Sequence, residues 1–396
     1  MREKKELELY VHIPFCIRKC AYCDFLSGPA DENTRASYVD ALVREILSNR
    51  DTFSDYRVST VFLGGGTPSV LEGAQTARIF HALRESFDIE EEAEITIEAN
   101  PGTVTEDKLD VWKKCGINRL SIGLQSADDR ELAMLGRIHT YREFLETCEM
   151  ARQKGFFNIN VDLISAIPGQ TVQSWKRTLE TVAALGPEHI SAYSLIIEEG
   201  TLFYERYGEE GQYAKETAGQ ETRLRNLPPL PDEEEDRLIY SMTREILKDY
   251  GYHRYEISNY AREGYECRHN LGYWERKEYL GLGLGSSSLV GEKRFHNTAD
   301  MKKYMQAPAS TEIREEIQEL SVQDRMEEYM FLGLRKMEGI SAADFARTFQ
   351  TDIDAVYGEQ LRKLREEGLL ERENGRICLT DRGIDISNYV FSEFIL

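Results

Sequence analysis

The chain has 396 residues, 70 acidic and 49 basic, for a formal net charge of −21; the length exceeds one ordinary domain. A broad phosphate-binding surface, which needs clustered Lys and Arg to displace counterions, is excluded, so nucleic acid is not expected as a partner. No segment approaches the roughly 20 uninterrupted apolar residues of a membrane span, Met1 to Glu8 is charged where a signal peptide carries an apolar core, and the cysteines number seven, which together predict a cytoplasmic chain with reduced thiols.

Short apolar runs at 7–13, 59–65, 93–100, 119–126, 158–167 and 189–197 read as strands, and amphipathic stretches at 34–50, 74–87, 105–115, 141–155 and 171–185 read as the helices between them. This βα alternation predicts an α/β chain whose parallel sheet closes part of the way round, a partial (βα)6 TIM-like barrel with functional groups on loops at the carboxyl ends of its strands. Segment 203–231 lacks apolar periodicity and ends in prolines, so it reads as an exposed insertion. Asp232 then caps a helix over 233–250, and 252–261 and 286–297 read as strands extending the sheet. Between those two, "GLGLGSSS" (281–288) reads as a flexible or closely packed segment without the lysine of a phosphate loop. From about 320, helices at 321–336, 341–348 and 352–367 precede a hairpin turning at Asn374-Gly375, a winged-helix-like outline. The expected division is a barrel over 1–200, an extension with the insertion over 201–315, and a C-terminal domain over 316–396.

"YVHIPFCIRKCAYCDF" (10–25) puts Cys16, Cys20 and Cys23 on the loop after the first strand with the spacing C-x3-C-x2-C. Three thiolates this close converge on one soft metal centre. A structural zinc would take Asp24 or His12 as its fourth ligand, whereas a four-iron cluster on three cysteines keeps one iron open. At the end of the second strand, "GGGTP" (64–68) lets backbone N–H groups approach a polar ligand. Glu98, Gln125, Arg137 and Asp162 then follow at or just beyond successive strand ends.

These features resemble the radical S-adenosylmethionine (SAM) superfamily, in which C-x3-C-x2-C holds a 4Fe-4S cluster whose open iron chelates SAM. The resemblance extends over nearly the whole chain, to the coproporphyrinogen-dehydrogenase-like branch. It implies a SAM pocket lined by Tyr10, Tyr22, Gly65, Gly66, Thr67, Glu98, Gln125, Arg137, Asp162 and Ile196. The decarboxylating enzymes of that branch carry a further cysteine where this chain has Phe25, and an N-terminal extension where this chain has nine residues before Tyr10. The pattern instead resembles the heme chaperone HemW group, whose second signature, H-N-x-x-Y-W, stands here at 269–274. The resemblance implies heme as ligand, transfer to heme-accepting proteins, an electron donor, and heme contact through His269, Asn270, Tyr273 and Trp274. His269 can offer an imidazole to iron, with Cys267 or a tyrosine of the same stretch as alternative donors, while Tyr273 and Trp274 offer flat apolar area. Three rivals stay open: oxygen-independent coproporphyrinogen III dehydrogenation, radical heme breakdown with methyl transfer, and a zinc-bound winged-helix regulator. Contact with a membrane surface is likewise left open.

Overall fold

The computed structural model describes residues 4–209, 211, 227–307 and 310–395. Six parallel strands, β1 (Lys5–Ile13), β2 (Tyr56–Gly65), β3 (Ile89–Ala99), β4 (Arg119–Gln125), β5 (Ile159–Ser165) and β6 (His189–Ser194), lie side by side in chain order. The helices Glu32–Ser48, Gly73–Ser86, Glu106–Cys115, Tyr141–Gln153 and Val172–Ala184 return the chain between them, and Glu233–Asp249 follows β6 and packs beside Val172–Ala184. This is the expected partial (βα)6 barrel. Threonines start three of its helices: Thr105, Thr140 and Thr171 each accept a hydrogen bond from a first-turn amide, satisfying a donor that the helix leaves unpaired.

Further strands flank the barrel. β7 (His253–Arg254) and β8 (Asn259–Ala261) run antiparallel beyond β6. On the other side β9 (Tyr279–Leu282) lies parallel to β1, and β10 (Ser287–Val290), β11 (Lys293–Asn297) and β12 (Arg314–Glu319) continue antiparallel from it. The glycine-rich 281–288 segment is therefore the end of β9, the turn after it and the start of β10. Its backbone is closely packed, because a Cβ on Gly281 would lie 2.2 Å from the Ser287 carbonyl oxygen.

The insertion is shorter than expected at its edges. Leu202–Tyr207 is helical, with Phe203 fully buried, and the Gly169 amide donates to Pro229 O (2.7 Å). The remainder of that segment, 210 and 212–226, lies outside the described residues.

Alternation along β1 assigns the two faces of the sheet. Leu7, Leu9, Val11 and Ile13, all fully buried, join the apolar layer beneath the helices. The intervening Glu8, Tyr10 and His12 face the concave side, where Phe62, Glu98, Ser121 and Asp162 of the neighbouring strands also point. A TIM-type interior is ordinarily filled by branched apolar side chains; this one is polar, so the folding energy from apolar burial is concentrated between sheet and helices.

The C-terminal segment has its own apolar cluster, including Phe345, Tyr357, Leu361, Ile377 and Phe394. Helices Val322–Gly333, Ala342–Phe349 and Ile353–Glu366 pack on a small sheet ordered β13 (Ile340–Ser341), β15 (Arg376–Leu379), β14 (Leu370–Glu373). Asn374 and Gly375 turn the hairpin at φ 51° and 78°, the left-handed pair that a two-residue turn requires.

Candidate metal centre and cofactor cleft

The loop leaving β1 carries Cys16, Cys20 and Cys23 and is tied down along its length. Cys16 N donates to Gly28 O (3.0 Å), Gly28 N to Pro14 O (3.1 Å), Ala21 N to Leu135 O (3.0 Å) and Phe203 N to Ala21 O (2.9 Å). Two side-chain donors among the described residues reach its sulfurs: Thr67 Oγ1 donates to Cys16 Sγ at 3.3 Å and Arg137 Nη1 to Cys20 Sγ at 3.6 Å. Burial raises the Cys23 thiol, and the Cys20 and Cys16 sulfurs raise it further; a bound metal would have to offset that cost of deprotonation.

The donor set fits a 4Fe-4S cluster better than zinc. His12 cannot serve as fourth ligand, since its ring nitrogens are engaged by Tyr10 Oη (3.0 Å) and Leu26 O (2.9 Å), and Asp24 is exposed. Among the described residues no three His, Cys, Asp or Glu side chains are gathered to hold a metal ion. Tetrahedral zinc at about 2.3 Å from each sulfur would draw its thiolates to roughly 3.8 Å of one another. A cube of iron and sulfide interposes its own volume and holds its cysteines farther apart.

The cysteines share a cleft with Tyr22, Gly65, Gly66, Thr67, Glu98, Gln125, Arg137 and Asp162, so eight of the ten residues assigned to the SAM pocket come together there. Burial, and then the nearby Asp162, push Glu98 up to about 8. Burial also raises Asp162, opposed by hydrogen bonds from Asn160 Nδ2 (2.8 Å) and Ser121 Oγ (3.1 Å). Arg137 Nη2 donates to Asn100 Oδ1 and to Gly123 O, both at 2.6 Å. The cleft thus pairs buried carboxylates with one fixed cation beside a cluster sulfur, the equipment for a small zwitterion bearing hydroxyls. Tyr10 lies deeper, its hydroxyl on His12, while Ile196 stands 68% exposed beyond β6 and does not line the cleft.

The triple glycine works differently from expectation. Its amides do not point to a ligand: Gly65 N donates to Glu98 Oε2 (3.0 Å), Gly66 N to Ile13 O (2.9 Å) and Thr67 N to Phe15 O (2.7 Å). Glycine is needed for close approach, since a Cβ on Gly66 would lie 2.7 Å from Phe15 O and one on Gly65, at φ 107°, 2.3 Å from the His12 ring. Sequence reasoning also passed over Asn100, which links Thr67 Oγ1 (2.9 Å) to Arg137. Its signal was its place in "EANPG", two residues after Glu98 at the same strand end.

The H-N-x-x-Y-W segment is elsewhere. It forms the helix Arg268–Trp274 at the amino end of the strands, where Thr60 of β2, five residues and thus about 16 Å below Gly65, bonds His269 Nδ1 at 2.7 Å. His269 Nε2 meets Tyr273 Oη at 3.1 Å, the ring stacks on Phe62 at 5.1 Å, and only 2% of the residue is exposed. Burial, then the Arg119 charge, push its pKa down to about 3. With both nitrogens hydrogen-bonded, the imidazole offers iron no free lone pair in this conformation, where the sequence left it one of several candidate donors. Cys267 is likewise fully buried, its sulfur 3.5 Å from Glu94 Oε1. Asn270 is half-buried. The Trp274 indole lies under the Arg335 guanidinium at 4.4 Å, so the helix is held between barrel floor and C-terminal segment.

Comparison with known proteins bears on the same regions. A family model for the radical SAM superfamily matches residues 10–182 and one for the HemN C-terminal domain matches 320–386. Similar proteins include the heme chaperone HemW of Lactococcus lactis, 36% identical over 99% of this chain and 98% of that one, and its namesake from Bacillus subtilis, 35% identical over 98% of each. Among solved structures, coproporphyrinogen III oxidase (HemN) from Escherichia coli, a radical SAM enzyme, aligns with a TM-score of 0.83 at 25% identity, covering 99% of this chain and 90% of that one.

Proposed function

We propose that this chain, which belongs to the heme chaperone HemW family of the radical SAM superfamily, binds heme and passes it to proteins that require it. The observation that carries the reading is the similarity, end to end, to relatives bearing that name. Phe25 at the position of the decarboxylases' extra cysteine supports it over porphyrinogen decarboxylation.

Cys16, Cys20 and Cys23 would hold a 4Fe-4S cluster, with the Thr67 hydroxyl and Arg137 guanidinium stabilising the thiolate charge. Glu98, Gln125 and Asp162 would accept from the amino group and ribose hydroxyls of SAM, and Arg137 would face its carboxylate. When bound, a cluster with one open iron supplies single electrons to SAM, the chemistry from which the superfamily takes its name. The chain's own part is to exclude water and to fix the sulfonium beside the cube. Among the described residues no helix is long and apolar enough to cross a membrane, and we place the protein in the cytoplasm with an electron donor and heme acceptors defined by those roles.

The test is anaerobic. Reconstituted protein is titrated with heme and then mixed with an apo heme protein, following the absorption bands of each. Saturable binding and transfer of intact heme are expected, and absence of heme binding overturns the reading. The fold shared with coproporphyrinogen III oxidase keeps one second reading in play: release of carbon dioxide from coproporphyrinogen by the same preparation, with SAM and a reductant, would establish it instead.

A further inference from the structure

The rim of the cleft differs from its interior. Around polar walls stand four large apolar side chains turned to solvent: Ile17, Phe25, Ile138 and Leu202 are 57%, 61%, 53% and 44% exposed. They are neighbours in space, since Ile17 and Ile138 flank one recess with Arg18, Leu202 flanks the adjoining one with Arg18 and Lys19, and Phe25 borders the cleft itself beside both cations. Soluble proteins seldom leave such a cluster uncovered unless it receives a partner. The cations matter because acids outnumber bases by 70 to 49 over the chain, yet Arg18 makes no ion pair and Lys19 only a bond to Phe25 O (3.1 Å) among the described residues.

A flat apolar ring with an anionic edge matches this surface, and heme with its two propionates is such a ligand. We propose, resting on the heme-chaperone reading, that heme docks face-on over this rim, its propionates on Arg18 and Lys19, rather than on the floor helix. Orientation follows from charge: Arg18 and Lys19 stand exposed on the cluster loop, so the anionic edge turns outward to that loop, where a guanidinium and an ammonium can pair with carboxylates. No histidine is needed for this contact, consistent with an imidazole that is unavailable at the floor.

The experiment compares heme with heme dimethyl ester on cluster-loaded wild type, on Arg18→Glu/Lys19→Glu and on Ile138→Asp. Iron, sulfide and thermal midpoint of each preparation check that the loop has kept its cluster. Charge reversal is expected to weaken heme about tenfold or more at low salt, and less as salt rises, while leaving the ester nearly unchanged. Ile138→Asp, which lies off the cluster loop, weakens both ligands. Wild-type heme binding that all variants retain overturns the rim site and leaves the chaperone reading standing; wild type binding no heme removes both. Flotation with phosphatidylglycerol vesicles tests a lipid surface as the alternative occupant. Vesicle binding lost on charge reversal, with heme affinity intact, would reassign the rim to membrane and overturn the proposal.

Discussion

Replacing Glu8 by Gln is expected to stabilise the barrel floor, by an amount that depends on pH. The carboxyl is fully buried and neither oxygen has a hydrogen-bond partner. Gly272 of the floor helix presses on it so closely that a Cβ there would lie 2.0 Å from Oε1. Burial pushes its pKa from 4.5 up to about 9; Lys277 opposes the rise, and Glu6, Glu94 and Glu275 add to it. The folded state therefore keeps a proton that the opened chain releases above 4.5, and stability is full below that value and falls as pH climbs toward 9. Between 4.5 and 7, at about 1.4 kcal/mol per unit, the loss amounts to about 3 kcal/mol. Glutamine has the same shape and equally lacks a partner, so the comparison isolates ionisation. Hydrogen exchange at amides of 268–274 gives the opening free energy. The advantage of the variant is expected to be small at pH 5 and to widen steadily to pH 8. Parallel curves for the two proteins would refute the reasoning.

Gly66→Ala sets a methyl against two backbone oxygens that cannot move aside, 2.7 Å and 2.8 Å away, and is expected to cost about 1–3 kcal/mol; a lower thermal midpoint and poorer iron retention would show it. Arg137→Lys forfeits the fork that joins Asn100, Gly123 and Cys20, so the change SAM makes in the cluster's electron-spin spectrum should need about tenfold more SAM. Arg276→Gln removes partners of Glu292 (2.6 Å) and of buried Glu328 (2.7 Å); a loss of about 2 kcal/mol is expected in urea denaturation.

Strand positions were legible because alternation and apolar runs are local: Leu7, Leu9, Val11 and Ile13 declare which side of β1 meets helices. The cluster loop was legible for the same reason, its three sulfurs lying within eight residues. What escaped depends on distant partners. His269 has the sequence surroundings of an exposed ligand, and only the return of Thr60 from another strand shows its ring to be committed. The glycines at 64–66 signalled close approach correctly, but the groups approached are the chain's own backbone and the His12 ring. Ile196 follows the last parallel strand in sequence and is 68% exposed, while its neighbours Leu195 and Ile197 pack in one cluster with Ala21 and Tyr22 of the cysteine loop. β9 carried too few residues and too many glycines to register as a strand until β1 supplied its partner.

The seven residues of the floor helix are gripped from both sides, by Glu8 and Glu94 above and by Arg335 and Glu328 through Trp274 and Arg276 below. Two apolar nuclei that share such a rivet cannot melt independently: loosening either strips cover from the other. Heating is accordingly expected to give a single calorimetric peak for this chain, although its sequence contains material for two.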